Sequence, residues 1–328
     1  MKTRILAANN GPVVETVVAE AVASLRSGDA IALPTETVYG LAADALKVDA
    51  VLKIFEAKER PRFDPLIVHL PERDWLDRIT NVSRAERELV DRLADAFWPG
   101  PLTLILPRRP IVPDVVTAGL ETVAVRMSAH PIFQRIIRDF GGALAAPSAN
   151  RFGRISPTSA AHVRAELDGR IPLIIDGGPT MHGLESTIVA VRAGGMEILR
   201  HGPITVEQLA PFGKIRPAQA TNRPEAPGQL RSHYAPRTRL ILTPSPGSFK
   251  PPSGKRVGAL VLQEVDNELF DEFRILSASG DLREAAANLF RCLRELDQAG
   301  LDLIVAEELP ETGLGTAIME RLRRAAAR

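Results

Sequence analysis

Short apolar runs alternate with helically spaced segments through the first two thirds of the chain. Ala30–Leu33, Leu66–Leu70, Leu102–Leu106, Val123–Arg126, Ala143–Ala146 and Leu173–Asp176 read as buried strands. Between them, Val48–Lys58 places Val51, Leu52, Ile54 and Phe55 at helical spacing, and Ser83–Phe97 places Leu89, Leu93 and Ala96 on one face. Pro131–Phe140 and Thr158–Leu167 read as further helices. Thr187–Val191 and Met196–Leu199 predict a hairpin around Ala193, Gly194 and Gly195. Strands alternating with helices imply α/β layering, and the hairpin makes the sheet mixed rather than purely parallel.

The pattern changes near residue 203. Ten of the 26 prolines fall between Pro203 and Pro252. Residues 214–239 carry six basic side chains (Lys214, Arg216, Arg223, Arg231, Arg237, Arg239) against Glu225 alone. With no periodicity, this stretch reads as a proline-stiffened basic linker. A second α/β unit of about 90 residues follows. Leu240–Leu242, Val257–Leu262 and Leu301–Ala306 are its strands, and Asp281–Gln298 and Thr316–Arg324 its helices. Asp281 and Glu284 are spaced for a capping box; Leu282, Leu289, Leu293 and Leu296 form the apolar stripe. The division predicted is 1–212, linker 213–237, and 238–328. No repeat occurs at a period of 20–50 residues.

Composition narrows the function. The chain has 328 residues, 45% hydrophobic and 25% charged, the mix of a globular protein. One cysteine, Cys292, excludes an intrachain disulfide framework and multi-cysteine zinc sites, and predicts a reducing, cytoplasmic setting. No apolar run reaches membrane-spanning length, and the opening MKTRILAANNGPVVE turns polar too early for a signal peptide. A net charge of +1 and 5% aromatic residues argue against non-specific nucleic-acid binding and base-stacking platforms.

The chemistry-bearing groups cluster where strands end. Phosphate loops and dinucleotide fingerprints are absent, as are the zinc-helix and nucleophile-elbow motifs, so a bound nucleotide would be held by side chains. Lys58, Arg60 and Arg62 lie between a helix end and a strand; they suit either a phosphate clamp or a helix C-terminus whose dipole favours cations. Pro34–Leu41 (PTETVYGL) puts hydroxyls after a strand, for ligand binding or as a helix N-cap at Thr35 or Thr37; Tyr39 fits a core ring equally well. Ser148 and Asn150, two apart, could donate to one anion or close a turn. His182–Thr187 and Arg200–Gly202 flank the hairpin, and His69 and Arg126 sit at strand ends. Cys292 falls on the apolar side of its helix and reads as core. Together these groups describe a concave site for a polyanion and a small polar molecule.

PTETVYGL (34–41), Lys58–Arg60 with PLIVH ending at His69, WPGPLTLIL (98–106), TVAVRMSAHP (122–131), APSANRFGRISPT (146–158) and GLESTIV (183–189), in this order, resemble the threonylcarbamoyl-AMP synthase family. APGQLRSHYAP (226–236) and GLGTAIMERL (313–322) resemble the linker and C-terminal domain of its longer, two-domain branch. The resemblance implies a YrdC-like twisted mixed sheet with flanking helices and a smaller Rossmann-like α/β C-terminal domain. It also implies an enzyme making L-threonylcarbamoyl-adenylate and pyrophosphate from ATP, L-threonine and bicarbonate. Magnesium would come with the ATP, with no protein-held metal and no prosthetic group. A downstream tRNA threonylcarbamoyl-transfer complex would be the partner, tRNA a further candidate.

The family's K-x-R and S-x-N signature maps onto Lys58, Arg60, Ser148 and Asn150 as the catalytic set. The same alignment places Arg60, Thr122, Ser148, Ser156 and Arg200 on the nucleotide side, with Tyr234 closing over it. Asp64, where relatives often carry an amide, joins this side. Thr37, His69, Arg126 and Ser186 fall on the threonine side. A competing reading is an RNA-binding module of the same fold with no turnover. A third, the carbamoyltransferase of hydrogenase maturation, needs cysteine-rich zinc modules that a single cysteine excludes.

Overall fold

The computed structural model describes residues 2–8, 13–192, 195–217, 224–230, 233–264 and 270–327. The chain runs β1 (Arg4–Ala7), α1 (Val13–Arg26), β2 (Ile31–Leu33), β3 (Gly40–Asp44), α2 (Val48–Lys58), β4 (Ile67–His69), α3 (Trp75–Ile79) and α4 (Arg84–Phe97). It continues through β5 (Leu102–Pro107), α5 (Asp114–Thr117), β6 (Thr122–Arg126), α6 (Pro131–Phe140), β7 (Leu144–Ala145), α7 (Ala160–Leu167) and β8 (Leu173–Asp176). Strands β9 (Thr187–Arg192) and β10 (Gly195–Arg200), helix α8 (Val206–Leu209) and strand β11 (Ile215–Arg216) complete the first unit. The second holds β12 (Arg239–Thr243), β13 (Val257–Val261), β14 (Glu272–Ile275), α9 (Leu282–Gln298), β15 (Leu303–Glu307) and α10 (Leu314–Ala326).

Among the described residues the first unit forms one mixed sheet in the order β1-β8-β2-β3-β7-β4-β6-β5-β9-β10-β11. Strands β4 and β6 run parallel with His69 opposite Arg126, while β3 and β4 both lie antiparallel to β7. That crossing gathers the ends of β4 and β6 and the loops flanking β3 and β7 into one region. Apolar clusters cover both faces: Leu41, Val68, Leu104 and Val125 on one, Ile31, Phe133, Ile137 and Leu173 on the other. The second unit is a four-stranded parallel sheet, β12-β15-β13-β14, backed by α9 and α10.

Three local readings shift. The buried face of α4 runs through Val90, Leu93 and Ala94, with Leu89 packed against the same core as predicted, while Ala96 is exposed. At α9, Asp281 caps the backbone N–H groups of Arg283 and Glu284, but Glu284 accepts from the Ser277 hydroxyl instead of closing a capping box. Ser277 in turn takes the Asp281 N–H. The linker is also more than an extended connector. Ile215–Arg216 adds a parallel strand to β10, and Ala226, Gly228, His233 and Tyr234 are buried. Arg223 and Arg231, and the hairpin tip at Ala193 and Gly194, lie outside the described residues. No helix among the described residues is long and apolar enough to cross a membrane.

Candidate active site

Helix α2 ends in a left-handed turn at Glu59 (φ 53°), with the Arg60 N–H donating 3.0 Å to the Phe55 carbonyl. Such a turn reverses the chain at a helix C-terminus, and glycine is its usual occupant. Here the reversal turns Lys58 and Arg60 inward: Lys58 is 1% and Arg60 7% exposed. A cation decorating a helix end would be solvated, so these two serve another purpose.

The Lys58 ammonium donates to the backbone carbonyls of Ser148 (2.5 Å) and Asn150 (2.6 Å). Burial, reinforced by neighbouring Arg60, pushes its pKa well below the ordinary lysine value. The Asn150 amide nitrogen donates to the carbonyls of Arg151 and Arg154, at 2.8 and 2.9 Å. Lys58 and Asn150 thus stand behind Ser148 and shape its loop. Arg60 donates to the carbonyls of Asp64 and Pro65, and its Nη2 lies 2.9 Å from Asp64 Oδ2. Neither Asp64 carboxylate oxygen is in hydrogen-bond geometry, and burial raises its pKa despite Arg60.

Of these groups, Arg60 and Ser148 open onto a cavity. Thr37, Arg60, His69, Arg126, Ser148, Arg200 and Tyr234 all line it. Behind that wall, Asp64 backs Arg60, and Ser156 donates to wall residue Glu185 in a short hydrogen bond. Ser186 accepts from Arg200 Nη2 (3.1 Å) and shares a hydrogen bond with Thr103 (2.7 Å). Thr122 stands apart, half-buried at the opposite end of β6 from Arg126.

Guanidinium groups dominate the wall: Arg60, Arg126 and Arg200 line it with Glu185, and behind it Asp64 pairs with Arg60 and Glu36 with Arg126. His69 adds no charge: burial and nearby Arg126 drive its pKa to about 3, and its Nδ1 has no partner. His233, also on the wall, is held neutral by burial and by Arg60 and Lys58.

Glu36 and Glu185 escape the residue-by-residue reading, although both lie inside quoted motifs. Glu36 accepts from Arg126 Nη2 (2.6 Å) and from the Ser128 hydroxyl (2.5 Å). Burial opposes its ionisation, but Arg126 and Ser128 outweigh burial and hold its pKa at about 2. Arg126 also donates to the Gly100 carbonyl. The Thr35 hydroxyl donates to the Val38 carbonyl and shares a hydrogen bond with Thr37, so these threonines knit a turn rather than cap a helix. Tyr39 is a core ring whose hydroxyl donates to the Gly178 carbonyl.

Tyr234 occupies the left-handed region (φ 62°), a strain of about 1–3 kcal/mol for such a side chain. Its ring stacks on Phe290 of α9 at 5.6 Å and meets His233 edge-on at 4.1 Å. Gly228 (φ 85°) packs so closely that a Cβ there would lie 2.6 Å from the Tyr234 hydroxyl. The segment predicted as a linker therefore forms one wall of the cavity.

Two family models match the chain: one described as "Telomere recombination" over residues 23–202, the other as "Threonylcarbamoyl-AMP synthase, C-terminal domain" over 204–327. The threonylcarbamoyl-AMP synthase of Bacillus subtilis is 43% identical, covering 94% of this chain and 92% of that protein. That of Pyrococcus abyssi is 41% identical, covering 92% and 91%. The crystal structure of P. abyssi Sua5 complexed with L-threonine superposes with a TM-score of 0.90 at 39% identity, covering 99% of this chain and 98% of that one. With both units matched in order, the chain belongs to the threonylcarbamoyl-AMP synthase family.

Proposed function

We propose that the cavity holds ATP beside L-threonine and joins them through bicarbonate, making threonylcarbamoyl-AMP. The observation that carries this reading is the wall itself: three arginines from separate elements, two of them held from behind by Asp64 and Glu36, beside hydroxyl groups and two neutral histidines. A polyanion next to a small polar molecule satisfies such a wall.

The neutral threonine amine attacks the bicarbonate carbon, and water leaves. A carbamate oxygen then attacks the α-phosphorus of ATP, and the bond to the β-phosphate bridging oxygen breaks to release pyrophosphate. No covalent enzyme intermediate forms, so catalysis rests on positioning and charge neutralisation. Arg60, Ser148 and Arg200 take the nucleotide end, with Tyr234 over it. Lys58 and Asn150 hold the Ser148 loop; Ser156 and Asp64 support Glu185 and Arg60. Thr122 is assigned to the nucleotide side through the family alignment alone. Thr37, His69 and Arg126 take the threonine end, Arg126 pairing with its carboxylate, and Ser186 supports Arg200 behind it.

Magnesium enters as the counter-ion that the triphosphate carries. The product passes to a downstream tRNA threonylcarbamoyl-transfer complex. Residues 1–212 form the catalytic unit, 213–237 the connecting segment and 238–328 the C-terminal unit. The single buried cysteine, Cys292, suits a reducing cytoplasm.

Pyrophosphate release with ATP and bicarbonate tests the reading directly. Release is expected only when threonine is added; equal release without it refutes the proposal. Serine should work less well, because a methyl group is worth about 1–3 kcal/mol of discrimination, or roughly 10–200-fold in kcat/KM. Equal kcat/KM for serine and threonine would show that no methyl contact exists.

A further inference from the structure

Arg321 of α10, in the second unit, has the largest fully buried side chain among the described residues. Its Nε donates to Glu185 Oε2 at 3.0 Å, across 136 residues of chain. Its Nη1 donates to the His201 carbonyl at 2.7 Å. The guanidinium carbon lies 5.3 Å from the centre of the Tyr234 ring. One side chain thus touches two walls of the cavity, Glu185 after the β8 loops and Tyr234 in the connecting segment, without lining the cavity itself.

The rest of that helical turn grips the same elements. Glu320 accepts the His201 N–H at 3.0 Å. Arg324 donates to the Leu230 carbonyl at 2.6 Å and accepts the His233 N–H at 3.3 Å. A buried arginine unpaired from its carboxylate is costly, so the Glu185 contact is made only when α10 is seated. The left-handed backbone of Tyr234 likewise persists only where its surroundings hold it. Both conditions meet in Arg321.

We infer that Arg321 is a positioning residue for nucleotide binding: it locks Glu185 and Tyr234 into the cavity wall and so makes the site complete only with the C-terminal unit docked. This inference rests on the reading of the cavity as an ATP site. It assigns the C-terminal helix a part in the reaction, acting through Tyr234 and not by contact with substrate.

The test uses the full-length chain with Arg321→Lys, Arg321→Met, Tyr234→Ala and the Arg321→Met/Tyr234→Ala double variant. Nucleotide affinity is read by calorimetry with a non-hydrolysable ATP analogue, independently of turnover, and KM for ATP and for threonine from pyrophosphate release. Arg321→Met should weaken the analogue about tenfold, as for residues that share a contact, while KM for threonine stays within twofold. Arg321→Lys keeps the charge but not the forked geometry, and should weaken it by a smaller factor. The double variant should bind no worse than Tyr234→Ala alone. Should Arg321→Met fail to fold, Arg321→Lys with its own Tyr234→Ala double variant carries the comparison. Unchanged analogue affinity, equal rises in both KM values, or multiplied losses in the double variant overturn the inference. Absence of nucleotide binding by the wild type would instead refute the functional reading.

Discussion

Alanine at Arg60 is expected to lower threonine-dependent pyrophosphate release by about 10²–10³-fold, the usual cost of removing one preorganised charge-stabilising donor. Arg60 lines the cavity, is buried, and is oriented by the Asp64 and Pro65 carbonyls, so no neighbouring side chain can replace it. The same change strands the buried Asp64 carboxylate, which loses the cation 2.9 Å away. Breaking a buried pair from one side costs about 3–5 kcal/mol. Arg60→Ala combined with Asp64→Asn should therefore regain thermal stability without regaining turnover, which separates chemistry from folding. Lys58→Ala should also abolish most release, by a different route: the carbonyls of Ser148 and Asn150 lose their shared donor and the Ser148 loop relaxes. Near-wild-type release from the folded Arg60→Ala and Lys58→Ala variants would end the assignment.

Glu36→Gln is expected to cost about 3–4 kcal/mol of stability at neutral pH. The figure converts the drop of the Glu36 pKa from 4.5 to about 2 at roughly 1.4 kcal/mol per unit. A carboxyl whose pKa falls on folding contributes its stability above the unfolded value and loses it as pH falls through the folded one. Wild-type stability should thus decline between about pH 4.5 and pH 2 by an amount the variant does not lose. Urea midpoints of both proteins at pH 7 and pH 3 measure it. Parallel pH dependence in the two would mean that Glu36 contributes no such linkage. The pair also bears on the site, since Arg126, assigned to the threonine carboxylate, is already held at 2.6 Å by Glu36. The arginine is fixed in place before any substrate arrives.

The buried strands were legible because each is a short, almost wholly apolar run bounded by turn residues. Val48–Lys58, Pro131–Phe140 and Leu173–Asp176 match the expected bounds, since a Pro start, a charged end or a turn punctuates each. Helix α1 (Val13–Arg26) and strand β3 (Gly40–Asp44) are not among the elements the pattern predicts. The alanines and valines of α1 pack on the sheet through Val17, Val18, Ala21 and Leu25. Strand β3 follows the Thr35–Val38 turn so closely that its five residues merge with the motif. In the second unit, the stripe of α9 was plain because Leu289, Leu293 and Leu296 all reach the core.

Local order along the chain, then, was enough for the layered α/β architecture and the family, because those depend on near-neighbour spacing and on motifs in series. Which groups face the cavity was decided by contacts between distant segments. Lys58 reaches carbonyls 90 and 92 residues away, and Arg321 reaches a carboxylate 136 residues away. A basic proline-rich stretch looks like an open linker until α9 and α10 pack against it. A buried charge must find its partner wherever the fold supplies one, and that choice is made in three dimensions.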